Sequence, residues 1–192
     1  MVKKELERCS WCGNDPLYVA YHDQEWGVPE FADDALYERL VLEGMQAGLS
    51  WLTILRKRAH MRERFHGFDP RKLARVGTDE IADWLQDPGI IRHRGKLAAM
   101  VANAQAMAEM AAGLGEFVWS FVDGKPQQNH RRTLDDVPAE TVVSKAMAKA
   151  LKQAGFRFVG PTTCYALMQS AGLVNDHVLS CHAYELCQRA GA

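Results

Sequence analysis

Helix caps and chain breakers punctuate this sequence from end to end, while strand-type alternation of apolar and polar residues is almost absent. Asp33 is placed to cap a helix over Asp34–Gln46, in which Leu36, Leu40 and Val41 recur at helical spacing. Gly48 breaks that run, and Ser50 caps Trp51–Phe65, a segment carrying Arg56, Lys57, Arg58, Arg62 and Arg64. Asp69-Pro70 is a cap followed by proline at the first helical position. Thr78 opens a short helix through Leu85. After the Asp87-Pro88-Gly89 turn, the Ala- and Met-rich stretch Arg94–Ala112 reads as a long helix ended by Gly113. Glu116–Val122 is a short amphipathic piece, and Ser144–Ala154 is a helix with Gly155 just past its end. Pro161–Ala171 and a segment from Leu173 complete the set. Arg157–Gly160 is too short to count as a strand. The pattern predicts one all-α domain over residues 1–192.

At 192 residues and 47% hydrophobic content, the chain has the size and material for one real core. Its 23 Lys+Arg against 24 Asp+Glu leave a net charge of −1. Global charge therefore recruits neither nucleic acid nor membrane, and any DNA-binding surface has to be a local patch. No apolar run approaches the roughly 18 residues of a membrane span. The opening Met-Val-Lys-Lys-Glu-Leu-Glu-Arg lacks an apolar signal core, so the expected location is cytoplasmic. Five cysteines are an odd count without disulfide-scaffold density, and in a reducing compartment they read as free thiols or metal ligands.

Trp11, Tyr18, Tyr21, Trp26, Tyr37 and Trp51 crowd the first third of the chain. Among them lies Glu43, in Leu42-Glu-Gly-Met-Gln-Ala-Gly-Leu-Ser-Trp51. Any one of these rings is explained by core packing. Several π-faces beside one buried acid also make a receptor for a flat, positively charged ring, because each ring quadrupole attracts the cation and the acid accepts its hydrogen bonds. A buried Glu without a cation is costly, which points the same way. Gly44 and Gly48 permit close backbone approach, and Met45, Gln46 and Leu49 have the sizes of a wedge or plug.

Two further groupings carry chemistry. His177-x-x-x-Cys181 places two ligand-type side chains on one face if the segment is helical, and Cys9 and His22 can complete a Cys₂His₂ set for tetrahedral zinc. Such a site would clip the two ends of the chain together and leave no open coordination position. Spacing alone leaves alternatives: buried unpaired thiols, Cys12 and His182 as rival ligands, or Cys9-x-x-Cys12 as a redox pair. The other grouping is Leu85-Gln-Asp-Pro-Gly-Ile-Ile-Arg-His-Arg-Gly-Lys-Leu97, a turn between two helices. Its backbone N–H groups, with Arg92, Arg94 and Lys96, can hold phosphate in a sequence-independent, salt-sensitive way. An ordinary turn and a solvated helix face are the plain alternative. No nucleophile elbow or phosphate-loop pattern is present.

The blocks Arg8-Cys-Ser-Trp11, Asp15-Pro-Leu-Tyr-Val-Ala-Tyr-His-Asp-Gln-Glu-Trp-Gly27, Glu43 to Trp51, Gly89-Ile-Ile-Arg-His-Arg-Gly-Lys96, Phe158-Val-Gly160 and Leu173-Val-Asn-Asp-His177 together resemble the DNA-3-methyladenine glycosylase I family. The likeness runs from about Glu7 to Cys181, with the blocks in family order. It implies a helix-hairpin-helix glycosylase fold, the motif spanning about 79–112 and its hairpin near Asp87–Gly95 gripping one DNA backbone. It also implies one structural zinc on Cys9, His22, His177 and Cys181.

The activity implied is excision of N3-methyladenine from double-stranded DNA, leaving an abasic site; the expected state is a monomer that engages no membrane. In the family pattern, Glu43 and Tyr21 hydrogen-bond the base and Trp51 stacks on it. Trp11, Tyr18 and Trp26 wall the pocket. The turn from Gln46 through Gly48 to Leu49 fills the space left by the flipped nucleotide, while Gly89, Arg92, Arg94 and Lys96 contact the backbone. Most helix-hairpin-helix glycosylases carry a catalytic Asp after the hairpin. No acid here matches it, as in the family this chain resembles.

Overall fold

The computed structural model describes residues 6–191, and over them the chain is helical apart from one short strand pair. The helices are α1 (Pro16–Gln24), α2 (Asp33–Gln46), α3 (Trp51–Arg64), α4 (Pro70–Leu73), α5 (Thr78–Trp84), α6 (Arg94–Ala108), α7 (Leu114–Trp119), α8 (Val142–Gln153), α9 (Pro161–Ser170) and α10 (His182–Ala190). Strands β1 (Gln127–Gln128) and β2 (Val174–Asn175) pair in parallel, with α8 and α9 in the crossover. None of the helices described is long and apolar enough to cross a membrane.

Local signals account for most helix starts. The Ser50 hydroxyl accepts from the Thr53 amide, and the Asp69 carboxylate accepts from Arg71. Asp15, followed by Pro16, does the same for Leu17, starting a helix that the sequence reading passed over. Thr141 and Ser144 form a reciprocal capping box, so α8 begins at Val142, two residues before the expected start.

Three expectations fail. Asp33 is the first residue of α2 rather than its cap; its carboxylate accepts from the Gly115 amide at 2.7 Å and ties α7 to α2. Helix α6 ends at Ala108, not Ala112, because Glu109 and Met110 donate to the carbonyls three residues back and tighten the last turn. The segment from Leu173 is not helical until His182: Val174 and Asn175 join the strand pair, and His177 and Cys181 lie on a turn rather than one helix face.

Helix α2 runs through the middle of the core, with every residue from Leu36 to Met45 buried. Helices α3, α6, α7 and α9 pack around it, and Tyr37 donates its hydroxyl to the Met100 carbonyl at 2.7 Å. A helix enclosed on all sides is normally apolar all round. This one carries Glu38, Arg39 and Glu43 inside, and the first two are paired. Glu38 meets Arg58 at 2.8 Å and Arg62 at 2.6 Å, while Arg39 meets Glu30 and the Ser170 carbonyl.

Candidate base pocket and its metal-type brace

Glu43 is the buried acid on α2 left without an ion-pair partner among the described residues. It is 6% exposed, one turn above the C-terminal end of α2. Burial pushes its carboxyl from the ordinary 4.5 up to about 8, and the Ser170 hydroxyl and Arg39 pull it back only in part. A cavity of about 380 Å³ opens over it, lined by Trp11, Tyr18, Tyr21, Trp26, Gln46, Trp51 and Gln169 among others.

The rings wall this cavity in mutual contact. Tyr21 and Trp51 have centroids 5.3 Å apart, Trp11 and Tyr18 5.1 Å, and Trp11 and Trp26 5.0 Å. Burial first, and the neighbouring Glu43 second, push the Tyr21 phenol well above its ordinary range, so it remains a neutral O–H donor. The Trp51 indole Nε1 is buried without a hydrogen-bond partner, an unmet donor beside the cavity. Thus all six pocket residues expected from sequence come together.

The sequence reading missed other members of the wall: Leu134, Val137, Ala166, Gln169 and Asp176. Asp176 lay inside a block already singled out for its resemblance, beside His177. Its carboxylate is saturated by Asn129 at 2.7 Å, Arg131 at 3.1 Å, Tyr165 at 2.5 Å and Gln169 at 2.8 Å. An acid holding four donors is not free to abstract a proton. It fixes instead the orientation of the Gln169 amide in the wall.

Behind the pocket, Cys9, His22, His177 and Cys181 are all buried, with ligand atoms within 4.8 Å of one another. Cys181 Sγ lies 3.4 Å from His22 Nε2 and 3.5 Å from His177 Nδ1, and Cys9 Sγ lies 3.6 Å from His177 Nδ1. Tetrahedral zinc with ordinary Zn–S and Zn–N bonds has ligand–ligand edges of about 3.3–3.8 Å, so the set fits. The far ring nitrogens are engaged as metal-bound imidazoles require: His22 Nδ1 with Asp23 at 2.8 Å, and His177 Nε2 with the Trp26 carbonyl at 3.1 Å. Cys12 is not in the group. The cluster was expected only to clip the chain ends, yet it also backs the pocket. Trp11 lies against His22 at 5.2 Å and Trp26 against His177 at 4.6 Å.

On the rim of the cavity, the turn after α2 is tied by Leu49 N–H to Gln46 O at 2.7 Å and Gln46 Nε2 to Leu49 O at 2.8 Å. Gly48 supplies a φ of +82°, and Leu49 is left 39% exposed. The turn between α5 and α6 is anchored on α3: Asp87 forms an ion pair with Arg64 at 3.0 Å and meets His60 at 2.8 Å, and Lys57 donates to the Pro88 carbonyl at 2.6 Å. A Cβ on Gly89 would sit 2.3 Å from the His60 ring, so any other residue there would displace His60 from Asp87.

Arg92 and Arg94 are exposed and make no ion pair among the described residues, whereas Arg56, Arg58, Arg62 and Arg64 on α3 are all paired. Lys96 departs from expectation. It is 7% exposed, and its ammonium donates to the Met45 and Ala47 carbonyls at 2.9 and 2.6 Å. It caps the C-terminal end of α2, which spends two of its three N–H donors.

Fold and site together describe a helical domain with an aromatic-walled pocket over a buried acid, a tight turn at its rim and arginines that make no ion pair among the described residues. The comparisons with known proteins agree. The methyladenine glycosylase family model matches residues 11–184, and the chain belongs to that family. It is 51% identical over 182 residues to DNA-3-methyladenine glycosylase 1 of Escherichia coli, covering 93% of this chain and 97% of that one. A crystal structure of a 3-methyladenine DNA glycosylase I superposes with a TM-score of 0.91 at 51% identity, covering 93% of this chain and 100% of the other. A variant of a 3-methyladenine DNA glycosylase I solved in complex with 3-methyladenine superposes at 0.89 with 36% identity, covering 92% and 97%.

Proposed function

We propose that this protein, acting as a monomeric single domain, flips 3-methyladenine out of alkylated duplex DNA and hydrolyses its N-glycosyl bond, leaving an abasic site. The observation that carries the reading is Glu43, a buried acid without an ion-pair partner among the described residues, in a pocket of π-faces. N3-methylated adenine in DNA is a cation that leaves as a neutral base, so its glycosidic bond is already weakened. The protein has to find, unstack and orient the nucleotide.

In the pocket, the ring lies on Trp51, with Trp11, Tyr18 and Trp26 as walls. Glu43 accepts from the base, and Tyr21, held neutral, donates to it. The carboxylate charge balances the positive ring, and unmodified adenine gains nothing from it. Discrimination follows from charge as well as shape, and neutral adenine that entered would not leave as a free base.

The α5–turn–α6 unit acts as a helix-hairpin-helix element, with Arg92 and Arg94 on backbone phosphates and the amides at the start of α6 beside them. Gln46, Gly48 and Leu49 fill the gap left by the extruded nucleotide. Cys9, His22, His177 and Cys181 hold one structural zinc. With four protein ligands it supplies no open coordination position, and its contribution is to stiffen the wall carrying Trp11 and Trp26. The deciding experiment is incubation with methylated duplex DNA and identification of the released bases. Release of 3-methyladenine is expected, and its absence from intact, metal-replete protein refutes the reading.

A further inference from the structure

Phe158 is an exposed aromatic held in a strained backbone conformation beside the cationic hairpin. Its φ is +56°, a region that bulky side chains rarely adopt, and the residue is 43% exposed. Three other non-glycine residues have positive φ, and none is an exposed large hydrophobic. Asp123 belongs to a tolerant type, Phe68 is buried in the core, and His66 is paired with Glu80 at 2.7 Å. Strain of this kind persists where the surroundings impose it, and it concentrates at functional positions.

The surroundings here are specific. Buried Asn103 on α6 accepts from the Arg157 amide at 2.7 Å and donates to the Arg157 carbonyl at 3.1 Å, clamping the loop by both backbone groups. The clamp sets the Phe158 ring 6.1 Å from His93, edge to face. The ring atoms come within 3.7 Å of where a Cβ on Gly95 would stand, and the Phe158 Cβ as close to one on Gly44. Phe158 therefore sits between α2, which ends in the plug, and the start of α6, which follows the hairpin. Arg157 next to it is exposed and, like Arg92 and Arg94, makes no ion pair among the described residues. Phe158 thus lies between Arg157 in its own loop and the segment carrying Arg92 and Arg94, cations complementary to a polyanion.

We propose that Arg157 and Phe158 form a second DNA contact beside the hairpin: the guanidinium takes a backbone phosphate and the ring packs on the adjoining deoxyribose. The proposal rests on the DNA reading above. It explains why a strained, exposed phenylalanine is held so firmly where glycine would relax the backbone.

The test measures affinity for duplex carrying an abasic-site analogue across a salt series, alongside thermal melts and binding of free 3-methyladenine. Phe158→Gly should melt at or above the wild-type temperature and bind DNA about tenfold more weakly with an unchanged salt slope. Arg157→Gln should reduce that slope by about one. If both bind DNA like wild type while Arg92→Ala/Arg94→Ala weakens, this contact is refuted and the DNA reading stands. If all three variants bind like wild type, the hairpin assignment fails and the contact with it. Loss of free-base binding in Phe158→Gly would make the ring a fold element and overturn the proposal.

Discussion

Replacing Glu43 by Gln keeps the shape of the side chain and removes its ability to carry charge, so its effect is set by how hard Glu43 is to ionise. Moving the carboxyl from 4.5 to about 8 makes ionisation in the empty pocket costlier than in water by about 5 kcal/mol. At pH 7 a carboxyl at about 8 still needs about 1.4 kcal/mol to ionise. A charge-assisted hydrogen bond to a cationic base returns about 3 kcal/mol at the upper end of the usual range. The net advantage over Gln at pH 7 is then about 1.6 kcal/mol, roughly fifteenfold in rate. At pH 9 the carboxylate is already formed, and the whole 3 kcal/mol, on the order of 150-fold, is exposed. The assay is single-turnover excision of 3-methyladenine from duplex DNA at both pH values, corrected for spontaneous release. A defect that widens with pH is expected. Wild-type rates for Glu43→Gln, or a defect of equal size at both pH values, would refute the electrostatic argument.

The same carboxyl makes stability pH-dependent. Its folded pKa lies above its unfolded value, so its contribution is fully present below about 4.5 and is lost as pH rises through about 8. Glu43→Gln should therefore raise the melting temperature more at pH 8 than at pH 5, as a melt series at the two values would reveal. Lys96→Met, which keeps the stem but frees the Met45 and Ala47 carbonyls, should weaken abasic-DNA binding severalfold through a looser Gln46–Leu49 turn. Its salt slope should match wild type, whereas a slope smaller by about one would restore Lys96 as a phosphate contact. Cys181→Ala should abolish metal content and lower the melting temperature. Because Trp11 and Trp26 rest on the metal-type cluster, it should also weaken free-base binding. Freshly purified wild-type protein without metal by elemental analysis would remove the zinc assignment.

What this sequence determined by itself was local or carried by long ordered blocks. Caps act within three or four residues, so Ser50, Asp69 and the Gly155 stop were legible. The aromatic crowd around Glu43, and the blocks that identify the family, needed no coordinates. Charge and burial were not legible, because they depend on partners distant in sequence. Arg58 and Arg62 quench Glu38 while Glu43, five residues on, is left bare. Lys96 looked like the third member of a basic run, but it folds onto carbonyls about fifty residues earlier. Asp176 and His177, adjacent in sequence just past β2, face different tasks because Asp176 meets Tyr165 and Gln169 of α9 while His177 meets Cys181. A cap such as Ser50 or Asp69 acts within its own few residues, whereas the fate of a charge, Asp33 included, is decided by whichever groups the tertiary fold brings within hydrogen-bonding distance of it.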